Sequence, residues 1–277
     1  MLWVFDSKQS EYRHQQPINT AVRKHYYAVE DKDGNRRTDI ESLLADIEGL
    51  ATPVMRKLER SESIDRDDKE HLSIYAAFMM IRGPSFEEMV NDAHRQIAQL
   101  IGDIAFKDED RAKNALDTFA RETGKKVVVS AADMVKFHQS GRYTIDVHRN
   151  ASLRAMIDLS TKLGESFLRM NSVVLHAPEM SGFVTTDAPV SILPPKNRSH
   201  LMGAGIDTPG AVKVFPLSRR ACLLMYDPGT LMLHRKVDRA TIRKVNSKIA
   251  SSFHRLVIGA DQAQLRSLVS QRVKKAR

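Results

Sequence analysis

Val174-Leu-His-Ala-Pro-Glu-Met-Ser-Gly-Phe-Val-Thr-Thr-Asp-Ala-Pro-Val190 is where the chain changes texture. Upstream of it, apolar residues recur mostly at helical spacing. Within and after it, short β-prone runs are separated by proline and glycine: Val173 to Leu175, Phe183 to Thr185, Val190 to Leu193, Val212 to Phe215 and Cys222 to Tyr226. A parallel crossover needs a dozen or more residues, and only the Pro194 to Gly210 connection is that long. The close spacing therefore predicts antiparallel pairing. At the other end of the chain, Leu2 to Phe5 reads as a further strand.

The helical part begins where Thr38-Asp39 can cap a pattern of Ile40, Leu43, Leu44, Ile47 and Leu50. Thr52-Pro53 suits a kink or a restart, because proline lacks the amide that a helix interior uses. A second helix is expected from Arg66 to Ile81, stopped by Gly83-Pro84. From Pro84, Phe86, Met89, Val90, Ala93, Ile97 and Leu100 share one face, with Gly102 near the end. Asp108 to Asp110 suit the start of a short helix, Ser130-Ala-Ala-Asp133 resembles a capping box, and Arg149 to Met170 reads as one long helix. A last long helix is expected from Asp238 to Ile258, burying Ile242, Val245, Ile249, Phe253 and Leu256, before a shorter basic one.

These readings predict an α+β fold in a single domain over residues 1–277. Its helical portion would cover about 38–171, a small antiparallel sheet about 172–236, and C-terminal helices about 238–273. With 42% hydrophobic residues in 277, the chain can bury a substantial core. The single Cys222 lies in the apolar run Ala221-Cys-Leu-Leu-Met225, the setting of a buried, unreactive thiol, and excludes an intramolecular disulfide. No apolar run reaches the ~18 residues of a membrane helix, and Met1 to Lys8 is too short for a secretory signal. A cytoplasmic protein with no membrane partner is expected.

Lys and Arg number 43 against 34 acids, a formal charge of +9, which favours an anionic partner such as nucleic acid or a nucleotide. Part of the excess is the tail Arg272-Val-Lys-Lys-Ala-Arg277. A second part is the basic stretch carrying Lys196, Arg198, Lys213, Arg219 and Arg220, where loops at one end of a sheet can focus positive potential on phosphates. Arg82, closing an apolar helix, is a further candidate ligand-binding group, or else pairs with Glu41, Glu48 or Asp187.

Asp187 is the candidate catalytic acid, with helix-borne Glu48 as its companion, because Pro189 fixes the backbone after it and can aim the carboxylate. The same position suits an Asp that merely holds a turn by accepting backbone amides. His176, in the strand before Asp187, is the one histidine retained as a ligand-binding candidate. The ten histidines show no His-Glu-x-x-His or other zinc spacing, so no metal site and no cofactor is named. Gly203-Ala-Gly205 lacks the third glycine and the strand-turn-helix context of a dinucleotide loop.

Several segments, taken in order, resemble the bacterial domain-of-unknown-function family 4238. They are Leu2-Trp-Val-Phe-Asp6, Pro17 to Tyr27, Glu41 to Glu48, Ala77-Phe-Met-Met-Ile-Arg-Gly-Pro84, Phe183-Val-Thr-Thr-Asp-Ala-Pro-Val190, Phe215-Pro-Leu-Ser218 and Val245-Asn-Ser-Lys-Ile-Ala250. The resemblance covers nearly the full chain and implies no activity. It implies a His-Tyr-x-Pro segment ahead of the first strand, which here would fall before Met1. Three functional expectations follow from the residues: binding of an anionic ligand, phosphodiester hydrolysis by Asp187 and Glu48, or a protein-interaction scaffold without catalysis.

Overall fold

The computed structural model describes residues 1–17, 20, 29–30, 36–37, 39–195 and 204–275. They fall into two compact units, one formed by Met1–Ser85 with Met156–Arg277 and the other by Phe86–Ala155. In order, the elements are β1 (Leu2–Asp6), β2 (Glu11–Gln15), β3 (Val29–Glu30), β4 (Arg36–Arg37), α1 (Asp39–Glu59), α2 (Arg66–Ile81), α3 (Pro84–Ala105), α4 (Glu109–Thr123), α5 (Ala131–Ser140) and α6 (Arg149–Leu168). They continue as β5 (Met170–His176), β6 (Thr185–Thr186), β7 (Ser191–Leu193), β8 (Val212–Pro216), β9 (Ala221–Pro228), β10 (Met232–Lys236), α7 (Arg239–Ile249), β11 (Leu256–Gly259) and α8 (Gln262–Lys275). The fold is α+β, as the sequence predicts.

The larger unit holds two main sheets, an antiparallel one ordered β2-β1-β11-β6 and a mixed one ordered β10-β5-β9-β8-β7. Successive side chains of a strand point to opposite faces, and β5 and β9 use both. Val174, Leu223 and Met225 join Val54 and Leu58 of α1, Leu72, Ala76 and Ala77 of α2, and Phe167 of α6 in one core. Leu175 and Cys222 face the other way, into a core with Phe5, Val184, Val257, Ile242 and Ile249 of α7 and Leu265 of α8. Burial pushes the Cys222 thiol well above its ordinary range, so this cysteine is the inert packing group expected of it.

α1 runs without a restart through Pro53. α2 starts at Asp65, whose side chain accepts the Asp68 amide while the Asp68 side chain reaches back to the Asp65 amide. Lys57 of α1 reaches Asp68 at 2.6 Å, tying the two helices where the chain reverses.

Three strand features depart from expectation. Glu11–Gln15 pairs with β1 as an edge strand despite its polar sequence. The helix expected over Asp238 to Ile258 ends at Ile249, and Leu256–Gly259 instead forms the fully buried β11, paired with β1 on one side and β6 on the other. β10 pairs with β5 in parallel. The long connection that a parallel pairing needs is the stretch 177–231, which carries β6 to β9, and β9 and β10 run antiparallel to each other on either side of β5. Their short link passes the start of β5, where Leu231 N donates to Asn171 Oδ1 at 3.1 Å and Asn171 Nδ2 donates to the Pro228 carbonyl at 3.3 Å. A Cβ at position 229 would overlap the Asn171 amide, so a larger residue there has to push that amide out of these bonds.

In the smaller unit, Asp108 caps α4 and Ser130 caps α5, and Gly124 and Gly141 close them at φ of 67° and 61°. His138 of α5 lies against the backbone of α3, where a Cβ on Gly102 would come within 2.6 Å of its ring. Gly102 thus serves this close approach rather than the helix end. The ring is held by Asp103 Oδ1 at 2.7 Å from Nε2 and by Tyr143 OH at 2.8 Å from Nδ1.

Candidate functional site

Asp187 follows β6 in the Thr-Asp-Ala-Pro turn. Its Oδ1 accepts the His254 amide at 3.1 Å and its Oδ2 the Arg255 amide at 2.7 Å, while its own amide donates to the Leu256 carbonyl at 3.3 Å. Thr186 Oγ1 closes the turn by accepting the Ala188 amide at 3.1 Å. The carboxylate therefore shapes the entry to β11, the role of a turn-holding Asp. Beside it, Arg255 turns its guanidinium to Asp6 on β1, with contacts of 2.6–3.1 Å. Arg13 of β2 reaches the same carboxylate at 2.6 Å. Asp6 is fully buried. Hydrogen bonding from Arg255 holds its carboxyl below the usual aspartate range, against the opposing effect of burial.

Glu48 is the partner of Arg82, at 2.8 Å between α1 and the end of α2. Of the three acids named on sequence grounds, Glu48 makes this pair, and both groups stay partly exposed, where an ion pair contributes about 1 kcal/mol or less. Asp187 is occupied with backbone amides and Glu48 with Arg82, and no hydrogen bond joins the two acids.

The basic candidates separate sharply. Lys196 and Arg198 lie outside the described residues, as does Gly203, and so do the side chains of the C-terminal tail. Lys213 is 1% exposed on β8, with its Nζ donating to the Ala211 carbonyl at 3.2 Å and its pKa pushed down by burial. Arg220 donates to the Pro178 carbonyl at 2.8 Å. Arg219 lines a cavity of about 270 Å³, together with Met180, Gly182, Phe183, Asp261 and Gln264 among others.

The cavity wall is held by two amide side chains that the sequence reading did not single out. Asn246 of α7, fully buried, accepts the Val184 amide at 3.1 Å and donates to the Gly182 carbonyl at 2.8 Å. Gln264 of α8 donates to that same carbonyl at 3.0 Å. Asp261 accepts the Gln264 amide at 2.8 Å and so starts α8 at the cavity edge. Arg219 crosses directly over Gly182: a Cβ there would lie 2.6 Å from Arg219 Cγ. Among the described residues, the Arg219 side chain has no hydrogen-bond or ion-pair partner.

His176 ends β5 with Nε2 at 2.9 Å from Nδ1 of His234 on β10 and 3.3 Å from Ser61 Oγ. Among the described residues, no three His, Cys, Asp or Glu groups converge as metal ligands, and no helix is long and apolar enough to cross a membrane.

The family model described as a protein of unknown function (DUF4238) matches residues 1–263. The chain belongs to the DUF4238 family. No curated protein and no solved structure matches it. The DUF4238 match spans the cavity lining up to Ala263 and stops one residue short of Gln264. Of the resembling segments, Phe183 to Val190 supplies both the cavity wall and the Asp187 turn, and Val245 to Ala250 supplies Asn246 behind it. Most of Pro17 to Tyr27 lies outside the described residues.

Proposed function

We propose that this protein binds a small anionic ligand, of the size of a phosphate ester or a compact carboxylate, in the cavity beside Arg219. The observation that carries the reading is that Arg219, with no side-chain hydrogen-bond or ion-pair partner among the described residues, lines a cavity of about 270 Å³. An arginine fork matches carboxylate and phosphate oxygens with paired donors. The cavity is smaller than a typical site for a drug-sized ligand, roughly 300–1,000 Å³, so a small ligand fits better than a polymer. Its wall is already held by Asn246 and Gln264, which limits the ordering cost of binding.

The test is isothermal titration of the full chain with inorganic phosphate, mononucleotides and small carboxylates. At least one is expected to bind wild type and to lose affinity about tenfold or more in Arg219→Ala, the loss of one charge-assisted contact. Equal affinity in the two proteins, or no binding by any of these ligands, overturns the reading.

A second reading, a protein-interaction role, draws on α3, where Met89, Ile97, Leu100, Ile101 and Ile104 are each more than half exposed. Contiguous apolar surface of this kind marks contact sites in soluble proteins. A monodisperse monomer at high concentration that captures no partner from a lysate would count against it.

A further inference from the structure

Arg219 shares its cavity with a carboxylate. Asp261, at the start of α8, lines the same cavity, and no ion pair joins the two. One oxygen of Asp261, Oδ1, accepts the Gln264 amide at 2.8 Å, while Oδ2 has no hydrogen-bond partner among the described residues. Both groups are anchored to one loop. The Phe183 amide donates to the Arg219 carbonyl at 2.9 Å, and a Cβ on Gly182 would lie 3.1 Å from Arg219 Nε. Gln264, one turn past Asp261, donates to the Gly182 carbonyl at 3.0 Å. The fold therefore sets a cationic and an anionic group on one cavity and leaves both to solvent or a ligand.

We propose that the cavity takes a zwitterion, a free amino acid with an aliphatic side chain, with Arg219 holding its carboxylate and Asp261 its ammonium group. The assignment rests on the anion-binding reading of the same cavity and narrows it to one ligand class. The guanidinium fork meets two carboxylate oxygens at once. An ammonium group carries three donors and no acceptor, so it suits the open Oδ2 of Asp261. Both contacts are charge-assisted, the stronger kind of hydrogen bond.

Charge balance separates this ligand from its competitors. A plain anion satisfies Arg219 but brings like charge up to Asp261, and a plain amine does the reverse at Arg219. Like charges set side by side in a binding site select against the wrong partner. A zwitterion meets both groups and adds no net charge. The rest of the lining accounts for the side chain. Phe183 is buried at 4% exposure, and Met180, Ala260 and Ala263 complete an apolar surface beside the two charges. Small-molecule sites combine such a surface with a few placed polar groups that fix orientation. At about 270 Å³ the cavity suits a single amino acid rather than a peptide.

The experiment is calorimetric titration of the full-length protein near neutral pH with three probes: leucine, 4-methylpentanoate, which lacks the amine, and isopentylamine, which lacks the carboxylate. Leucine is expected to bind about tenfold or more tighter than either analogue, the worth of one charge-assisted contact. Asp261→Asn keeps the cap of α8, because asparagine caps a helix as well as aspartate does. It should weaken leucine about tenfold or more and leave 4-methylpentanoate at least as tight as before, a change of preference that a merely structural aspartate would not produce. Arg219→Ala should weaken leucine and 4-methylpentanoate alike. If 4-methylpentanoate binds wild type as tightly as leucine, or if Asp261→Asn keeps the preference for leucine, the zwitterion assignment is overturned and the anion-binding reading stands. No leucine binding overturns the zwitterion alone, and phosphate, mononucleotides and other carboxylates then decide the anion-binding reading. Leucine binding undiminished in Arg219→Ala overturns both.

Discussion

Asp187 commits both carboxylate oxygens to the amides of His254 and Arg255, so its removal strips two acceptors from the start of a buried strand. Hydrogen bonds to a charged acceptor contribute about 1.5–3 kcal/mol each, less where solvent reaches them. Asp187→Ala is expected to lower the unfolding free energy by about 2–3 kcal/mol and Asp187→Asn by about half of that, read from urea midpoints. Retained stability in Asp187→Ala would show that the turn holds itself. Asp6, next to it in space, makes a pH prediction. Its folded pKa is depressed, chiefly by Arg255, so its stabilisation is complete above the unfolded aspartate value near 4 and fades as pH falls through the lower folded value. Asp6→Asn should lose about 2–3 kcal/mol at neutral pH, moderated because Arg13 and Arg255 are each more than a third exposed. Wild type is expected to lose stability below about pH 4, and that loss should be shallower in the variant. Urea midpoints measured from neutral to strongly acid pH would reveal it, and parallel curves for the two proteins would contradict it.

At the scale of elements, the turn between β9 and β10 fixes the only parallel pairing among the described strands, and it does so through one glycine and one asparagine. Gly229→Ala forces its new Cβ into the Asn171 amide, and a clash of this kind costs about 1–3 kcal/mol. Asn171→Ala removes the bonds to Leu231 and Pro228. The double variant relieves the clash, so its cost should fall short of the sum of the singles by at least about 1 kcal/mol in a double-mutant cycle. Additive costs would mean that the two residues do not share the space. This pairing was hidden in the sequence because Met232–Lys236, three of its five residues His, Arg and Lys, is not among the β-prone runs that the sequence displays. β11 was hidden for another reason: Phe253 and Leu256 continue the spacing of α7, and a strand buried on both faces shows no alternation. By contrast, α2 was legible, since the sequence starts it near Arg66 and stops it at Gly83-Pro84, and the structure runs it over Arg66–Ile81.

For the molecule as a whole, the formal charge of +9 is the property most easily mistaken for a function. Of the basic residues that pointed to an anionic partner, Lys213 is buried, Arg220 bonds a carbonyl and Arg82 pairs with Glu48. Among the described candidates, Arg219 lines a cavity that distant segments complete, the 180–183 loop and the start of α8. The sequence displayed Arg219 but not the wall it faces, because that wall depends on Asn246 bridging segments more than sixty residues apart. This arrangement predicts how binding responds to salt. A polymer-binding groove that neutralises 6–10 phosphates loses roughly 10³–10⁵ in affinity between 50 and 200 mM salt. One arginine in a small cavity predicts a loss no larger than about tenfold over that interval. Fluorescence anisotropy of the full chain with labelled single-stranded RNA, single-stranded DNA and duplex DNA at those two salt concentrations separates the cases. Weak polynucleotide binding that is unchanged in Arg219→Ala is expected. Tight binding that collapses with salt would move the functional surface from the cavity to the basic exterior, and would make the net charge, rather than Arg219, the feature to dissect by mutation.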